Sequence, residues 1–323
     1  MLAKKIILAV VLSVAVLAGS WYYHNRTAQN IVSGVIGNPA SNLKSTDSRT
    51  NVLLLGIGGD GHEGGDLTDS MLLASFDLTG NKVKLIPIPR DVWIPSLQAK
   101  VNTAYHYGNV QRESGGRDLA KSAVAEVLGI PVHYAFVLDF QGFVRAIDIV
   151  GGIDVNVDRS FDDYKYPIPG MENAEPESAR YEHIHFDAGA AHMDGTTALK
   201  FARSRHAEGD EGTDFARAAR QEKIILAFRN KFFSTGTLFD SSILGELKDS
   251  VVGSIDTDIE GSEQGSFLKV FLGLGNKDNI KSLSLTDLFE NPKSTRVYGG
   301  QWVLIPNTSW EEIHAYVAEN LAK

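Results

Sequence analysis

Short apolar runs alternating with helix-spaced segments constrain this chain more than any other feature. Val52–Leu55, Met71–Phe76, Val83–Ile88 and Val132–Leu138 have the length and apolar content of buried strands. Arg117–Leu128 and Phe140–Val150 carry apolar residues at helical spacing, and glycine closes each, at Gly129 and at Gly151-Gly152. Alternation of this kind predicts a layered α/β domain. Ser262–Leu274 reads as a further helix and Val297–Ile305 as a further strand. Ser309-Trp310-Glu311-Glu312 is a capping box that opens a last amphipathic helix. The proline-bearing, charged stretch Tyr164–Tyr181 reads as a surface insertion or lid. No repeat or linker divides residues 50–323, so one domain is expected there.

The N-terminus predicts where that domain works. Lys4 and Lys5 precede an uncharged run from Ile6 to Tyr23, which as a helix reaches roughly 27 Å at ~1.5 Å per residue and just spans a bilayer. Trp21, Tyr22 and Tyr23 suit the membrane interface, and the two lysines keep the short leading end in the cytoplasm. Residues 1–24 therefore read as a single-pass signal anchor of a cell membrane, with a cleaved signal peptide as the rival reading. Residues 25–49, rich in Asn, Ser, Thr and Gly, read as a stalk. Everything after residue 24 is extracytoplasmic on either reading.

Charge narrows the chemistry. A net charge of −9 excludes a broad nucleic-acid footprint, and the lack of cysteine excludes disulfides, thiolate metal sites and a cysteine nucleophile. Yet four arginines, Arg203, Arg205, Arg217 and Arg220, fall within the 23 residues from Leu199 to Gln221. Guanidinium is always charged and presents a planar fork matched to phosphate oxygens, so the cluster reads as an anion site or as surface salt bridging to Glu208, Asp210, Glu211 and Asp214. Arg203 and Arg205 share a face only in an extended segment, whereas Arg217, Arg220 and Gln221 share a helical face. A pairing of Arg220 with an acid is the alternative to a phosphate contact there.

Two further segments bear on the same chemistry. Gly56-Ile57-Gly58-Gly59-Asp60-Gly61 matches the dinucleotide-binding fingerprint, but the chain runs on into another strand at Met71 instead of the required helix, which excludes that fold. The turn instead gathers Asp60, Asp66 and Asp69, either as hard oxygen ligands for magnesium or as turn caps. His62 is an added candidate. Ile88-Pro89-Arg90-Asp91 then delivers Arg90 to a strand end with its backbone restricted by proline, and Asn102 and Tyr105 follow as polar contacts.

Taken in order, Asn51-Val52-Leu53-Leu54-Leu55-Gly56, Thr68-Asp69-Ser70-Met71, Ile88-Pro89-Arg90-Asp91, Lys100-Val101-Asn102, Val150-Gly151-Gly152-Ile153, Ala198–Arg205 and Asp214–Gln221 resemble the LytR-CpsA-Psr family over roughly Asn51 to Lys231. The resemblance implies an α/β/α sandwich around a central mixed β-sheet, preceded by one transmembrane helix. It implies a phosphotransferase that moves a glycopolymer from a polyprenyl pyrophosphate carrier onto peptidoglycan through a phosphodiester link. A pyrophosphatase and a non-catalytic envelope-binding module are the rival functions. Arg90, Arg203, Arg205, Arg217 and Gln221 fall on the pyrophosphate-binding positions, with Arg220 and Asn102 as further contacts. Arg90, Asp69, Arg203 and Arg205 are the expected catalytic residues. Asp69 falls on a Mg2+ (or Mn2+) ligand, and Asp60, with Asp66 as rival, is the expected second one. Leu67 stands where many relatives carry arginine.

Overall fold

The computed structural model describes residues 33–60, 64–171, 173–232, 250–273 and 279–323. The expected membrane anchor and His62 lie outside the described residues. Among the described residues, no helix is long and apolar enough to cross a membrane.

In chain order, β1 (Arg49–Ile57), β2 (Thr68–Asp77) and β3 (Lys82–Pro87) precede α1 (Ala104–Gln111), α2 (Gly115–Leu128) and β4 (Tyr134–Asp139). Then come α3 (Phe140–Ile149), β5 (Ile153–Val157), β6 (Phe161–Pro167), β7 (Tyr181–Phe186), β8 (Gly189–Met193), α4 (Gly195–Arg203) and α5 (Asp214–Phe232). β9 (Ile255–Thr257), α6 (Ser262–Gly273), β10 (Ile280–Ser282) and α7 (Trp310–Ala322) come last. Where one domain was expected, the chain divides into two compact units, one of residues 31–58, 66–138 and 256–323, the other centred on residues 139–255 with 59–65.

The first unit is built on a six-stranded sheet in the order β9-β4-β1-β2-β3-β10. The sheet is mixed, because β1, β2 and β3 pair antiparallel whereas β10 runs parallel to β3. Register puts Leu53 opposite Leu73 and Leu73 opposite Ile86, and this face packs against Ala120, Val124 and Val127 of α2 and Ile313 and Val317 of α7. The other face carries Phe76 and Tyr134, whose rings meet Phe267 of α6 edge to face. Helices on both faces explain why the central strands read as continuous apolar runs instead of alternating ones.

Three expectations need correction here. Residues 33–48 are no stalk: Leu43 is buried, the Lys44 amide donates to the Tyr134 hydroxyl (2.8 Å) and Asn42 Nδ2 donates to Ser266 Oγ (3.2 Å). The expected strand at 297–305 is a 3-10 turn at Arg296–Tyr298 followed by Gly299 and Gly300 at positive φ, with pairing confined to a parallel bridge from Leu304 to Val92 and the short strand Ile305–Pro306. Two left-handed glycines end an extended run whatever its apolar content. The supposed lid, Tyr164–Tyr181, begins in β6 and ends in β7, so it is the distal part of the β6–β7 hairpin.

The second unit joins two antiparallel pairs, β5 with β8 and β6 with β7, to α3, α4 and α5. Phe161, Phe186 and Phe201 form its aromatic centre, with ring centroids 5.0–6.0 Å apart. α4 approaches α3 so closely that a Cβ on Gly195 would lie 2.1 Å from the Val144 carbonyl oxygen.

Candidate functional site

In the first unit, antiparallel pairing puts the start of β2 beside the end of β3, with Leu72 opposite Pro87. That register brings Asp69 and Arg90, expected from segments about twenty residues apart, into contact. Arg90 Nη1 donates to Asp69 Oδ1 at 2.5 Å, and Arg90 Nε lies 3.6 Å from Asp91 Oδ2. Lys100 Nζ holds the other Asp91 oxygen at 2.8 Å. The backbone beneath is braced: the Asn102 amide donates to the Arg90 carbonyl (3.3 Å), and the Thr68 hydroxyl donates to the Asn102 carbonyl (3.1 Å). Asn102 Oδ1 is buried with no hydrogen-bond partner among the described residues, an acceptor that solvent does not satisfy. Asp66, the rival metal ligand, instead sits 2.6 Å from His106 Nδ1.

Among the described residues no group of three or more His, Asp or Glu side chains is placed to hold a metal ion by itself. Magnesium needs no such cage, since it is commonly held by one or two carboxylates plus substrate phosphates. Asp69, with one oxygen on Arg90, and the unpartnered Asn102 Oδ1 supply hard oxygen donors of the kind that ion takes. Asp60 belongs to the other unit and is exposed. Its loop is closed by a Gly59 amide to Gly65 carbonyl hydrogen bond (2.7 Å). Gly59 is required there: its φ is +78°, and a Cβ would stand 2.9 Å from Asp139 Cβ. Asp139 in turn caps α3 through the Gly142 amide (2.6 Å).

In the second unit, α4 ends at Arg203, and Ser204 leaves it in an extended conformation (φ −51°, ψ 130°). The chain beyond forms an antiparallel bridge between Ala207 and Asp163 of β6. Asp163 is fully buried, and its carboxylate clamps this turn. Oδ2 accepts from the Ser204 hydroxyl (2.7 Å) and from the amides of Arg205 (3.2 Å) and His206 (3.1 Å), while Oδ1 accepts from the Lys165 amide (2.9 Å). Burial alone would raise the Asp163 pKa, but these hydrogen bonds outweigh it and hold the carboxyl below its ordinary value. Arg203 is seated differently. Its guanidinium lies 4.2 Å from the centre of the Phe140 ring and 5.7 Å from that of Tyr166, and Nη1 donates to the Tyr166 hydroxyl (3.4 Å). No carboxylate of the described residues forms an ion pair with it. Arg205 is exposed on the clamped segment.

Arg220 corrects its own expectation as a phosphate contact. Its buried guanidinium is consumed internally: Nε donates to the Phe201 carbonyl (3.1 Å), Nη2 to that of Ser204 (2.6 Å), and Nη1 to the Glu211 carbonyl (2.8 Å) and carboxylate (2.7 Å). Desolvation lowers its pKa, and Glu211 opposes that shift. The group thus ties α5 to the end of α4. Arg217 lies on the same helix and is partly exposed, and the side chain of Gln221 lies outside the described residues. A cavity of about 580 Å³ opens beside Arg220, floored by Phe161, Phe201 and Ala219 and rimmed by Arg159 and Lys223.

Sequence reasoning missed Asp163 and Tyr166, whereas the acid expected as the alternative partner of Arg220 is Glu211. One signal was available for Asp163: alternation along Phe161-Asp162-Asp163-Tyr164 puts it on the inward face with Phe161, and a buried carboxylate demands donors.

Comparison with known proteins adds three findings. The LytR_cpsA_psr family profile matches residues 19–315. The chain is 29% identical over 236 residues to polyisoprenyl-teichoic acid–peptidoglycan teichoic acid transferase TagV of Bacillus subtilis (strain 168), a match covering 71% of this chain and 54% of TagV. It is 30% identical over 240 residues to the TagU transferase of that description from Oceanobacillus iheyensis, covering 73% of this chain and 66% of TagU. The chain therefore spans about half to two thirds of the length of these relatives. The crystal structure of B. subtilis TagV superposes with a TM-score of 0.57 at 24% identity, covering 86% of this chain and 99% of that one. TagT bound to LI-WTA gives 0.56 at 20%, covering 89% and 98%. At these identities the structural likeness is one of fold.

Proposed function

Because the chain belongs to the LytR_cpsA_psr family, we propose that it is an enzyme that transfers a glycopolymer from a polyprenyl pyrophosphate carrier onto peptidoglycan, leaving a phosphodiester link. The names of its relatives support this reading. So does the alignment by motif of Arg90, Arg203, Arg205, Arg217 and Gln221 with pyrophosphate-binding positions. The observation that carries the reading is Arg203. In a chain of net charge −9, a guanidinium oriented by two aromatic rings and given no carboxylate partner among the described residues is a charge held ready for an anion.

The chemistry follows from where charge develops. An acceptor hydroxyl gives up its proton and forms a bond to the phosphorus next to the glycan, and the bridging P–O bond breaks to release polyprenyl phosphate, which takes up that proton in the overall balance. Negative charge grows on the leaving oxygens as that bond loosens. Arginines fixed before the reaction stabilise it without reorganising. Arg203 is fixed by stacking and Arg205 by the Asp163 clamp under its backbone. Arg90 is braced by Asn102 and poised on Asp69. Asp69, with Asn102 as a further oxygen donor, would hold Mg2+, which when bound supplies charge neutralisation at the phosphate oxygens. Asp91, already committed to Arg90 and Lys100, serves to position Arg90. The uncharged run Ile6–Tyr23 would anchor the chain in the bacterial cell membrane with its folded part outside, where the lipid-linked donor and peptidoglycan are found.

The test is to incubate the full-length chain in detergent with a polyprenyl pyrophosphate-linked glycan, peptidoglycan oligomers and Mg2+. Glycan joined to peptidoglycan through a phosphodiester is the expected product, lost on chelation and regained with added Mg2+. Release of inorganic phosphate without transfer, or binding without turnover, would overturn the assignment.

A further inference from the structure

The outer face of the β6–β7 hairpin carries an unusual group of side chains that the proposed chemistry leaves unused. Tyr164 stacks face to face on His183, with ring centroids 4.3 Å apart and planes 9° from parallel, yet Tyr164 is still 56% exposed. One ring face is therefore covered and the other is open to solvent. The support beneath it is rigid. Asp162 Oδ1 accepts from His183 Nε2 (2.7 Å) and from His185 Nδ1 (2.8 Å), and His185 Nε2 reaches Asp187 Oδ1 (3.2 Å). With Nε2 on Asp162, Nδ1 is the other polar atom of the His183 ring, and contact with two carboxylates favours the protonated form of His185, whose pKa is raised by the Asp162 and Asp187 hydrogen bonds.

Register ties this face to the arginine segment. The Asp163–Ala207 bridge is antiparallel, so His206 occupies the position opposite Tyr164, one residue from Arg205. Both are exposed while Asp163 and Ala207 are buried, as alternation across a sheet requires.

We propose that this face is a subsite for one pyranose ring of a glycan strand. The open face of Tyr164 takes the C–H face of the sugar, while His183 Nδ1, the Asp162 carboxylate and His206 bond its hydroxyls. An aromatic ring held flat and exposed by a hydrogen-bonded partner, with donors and acceptors around its edge, offers what a pyranose presents: an apolar face and a polar rim. The sugar can come from the donor polymer or from the peptidoglycan acceptor, and both present the same chemistry. This inference deepens the transferase reading, and its position beside Arg205 rests on that reading.

Two measurements on the full-length chain in detergent test it. The first is calorimetric or NMR titration with chitotetraose, a probe of linked pyranoses with no phosphate. Wild type is expected to bind, Tyr164→Ala to bind about fivefold to tenfold more weakly, the range expected for one lost stacking contact, and Tyr164→Phe to regain the affinity. The second is the transfer reaction, in which Tyr164→Ala should raise the KM for one substrate by a similar factor; the substrate affected, lipid-linked donor or peptidoglycan, identifies the source of the sugar. Thermal denaturation of each variant separates lost binding from lost folding. Equal chitotetraose binding by wild type and Tyr164→Ala, or no binding by wild type, would overturn the subsite. A chain that binds the probe through Tyr164 but transfers nothing would refute the transferase reading and leave the subsite standing.

Discussion

Removing the Asp163 carboxylate is the perturbation with the most calculable outcome. Four hydrogen bonds end on it, from Ser204 Oγ and from the amides of Arg205, His206 and Lys165. In Asp163→Ala the hydroxyl of Ser204, itself buried, and the amides around it lose their acceptor. A buried donor left unsatisfied costs about 1–3 kcal/mol. Arg205 and His206 are exposed enough for water to replace part of the loss, so the whole change comes to about 3–5 kcal/mol, large for a single substitution. At roughly 2–4 °C per kcal/mol for a domain of this size, unfolding should move down by on the order of 10 °C. The sign of the pH dependence is also fixed. The folded carboxyl titrates below its unfolded value, so its contribution is full above that unfolded value and is lost as pH falls through the lower folded one. Asp163→Asn, which keeps the shape but not the charge, should remove that acid-range dependence and slow transfer, because the turn that presents Arg205 loses its anchor. The assay is thermal unfolding of wild type and both variants at neutral pH and at a series of values below 4, followed by transfer rates below the melting range. A Tm for Asp163→Ala within 2–3 °C of wild type would refute the clamp.

Three other outcomes follow from the geometry. Arg203→Ala should lower the transfer rate about 100-fold to 1,000-fold, and Arg203→Lys should recover little of it, since a compact ammonium cannot stack on Phe140 and Tyr166 as a planar guanidinium does; steady-state kinetics at saturating donor decide this. Gly59→Ala should destabilise by about 1–3 kcal/mol, from its positive φ and the Cβ contact with Asp139, as read by denaturant unfolding. Arg220→Ala should destabilise by about 3–5 kcal/mol by stranding the Glu211 carboxylate and two carbonyls, whereas Glu211→Gln should do less damage; a double-mutant cycle by calorimetry measures the coupling.

Local pattern determined much of this protein. Apolar runs marked the central strands because strands covered on both faces need apolar residues at every position. Glycine and capping signals marked α2, α3 and α7 because helix ends must satisfy their own backbone groups. The spacing of Arg217 and Arg220 and the motif order around Arg90 and Arg203 were readable for the same reason: each rests on neighbours in sequence. Tertiary structure alone decided which arginine has its charge already matched. The sequence left Arg220 with either a phosphate or an acid, and the fold buries it on Glu211 and two carbonyls while Arg203 lies against aromatic rings, since the fate of a charge depends on which distant groups the fold places within a few ångströms of it. The Asp163 clamp, the contact of Asp69 with Arg90 and the exposed stack of Tyr164 on His183 have the same origin. Strand register, set by the packing of whole sheets and helices, brings together groups whose separation along the chain carries no trace of their contact.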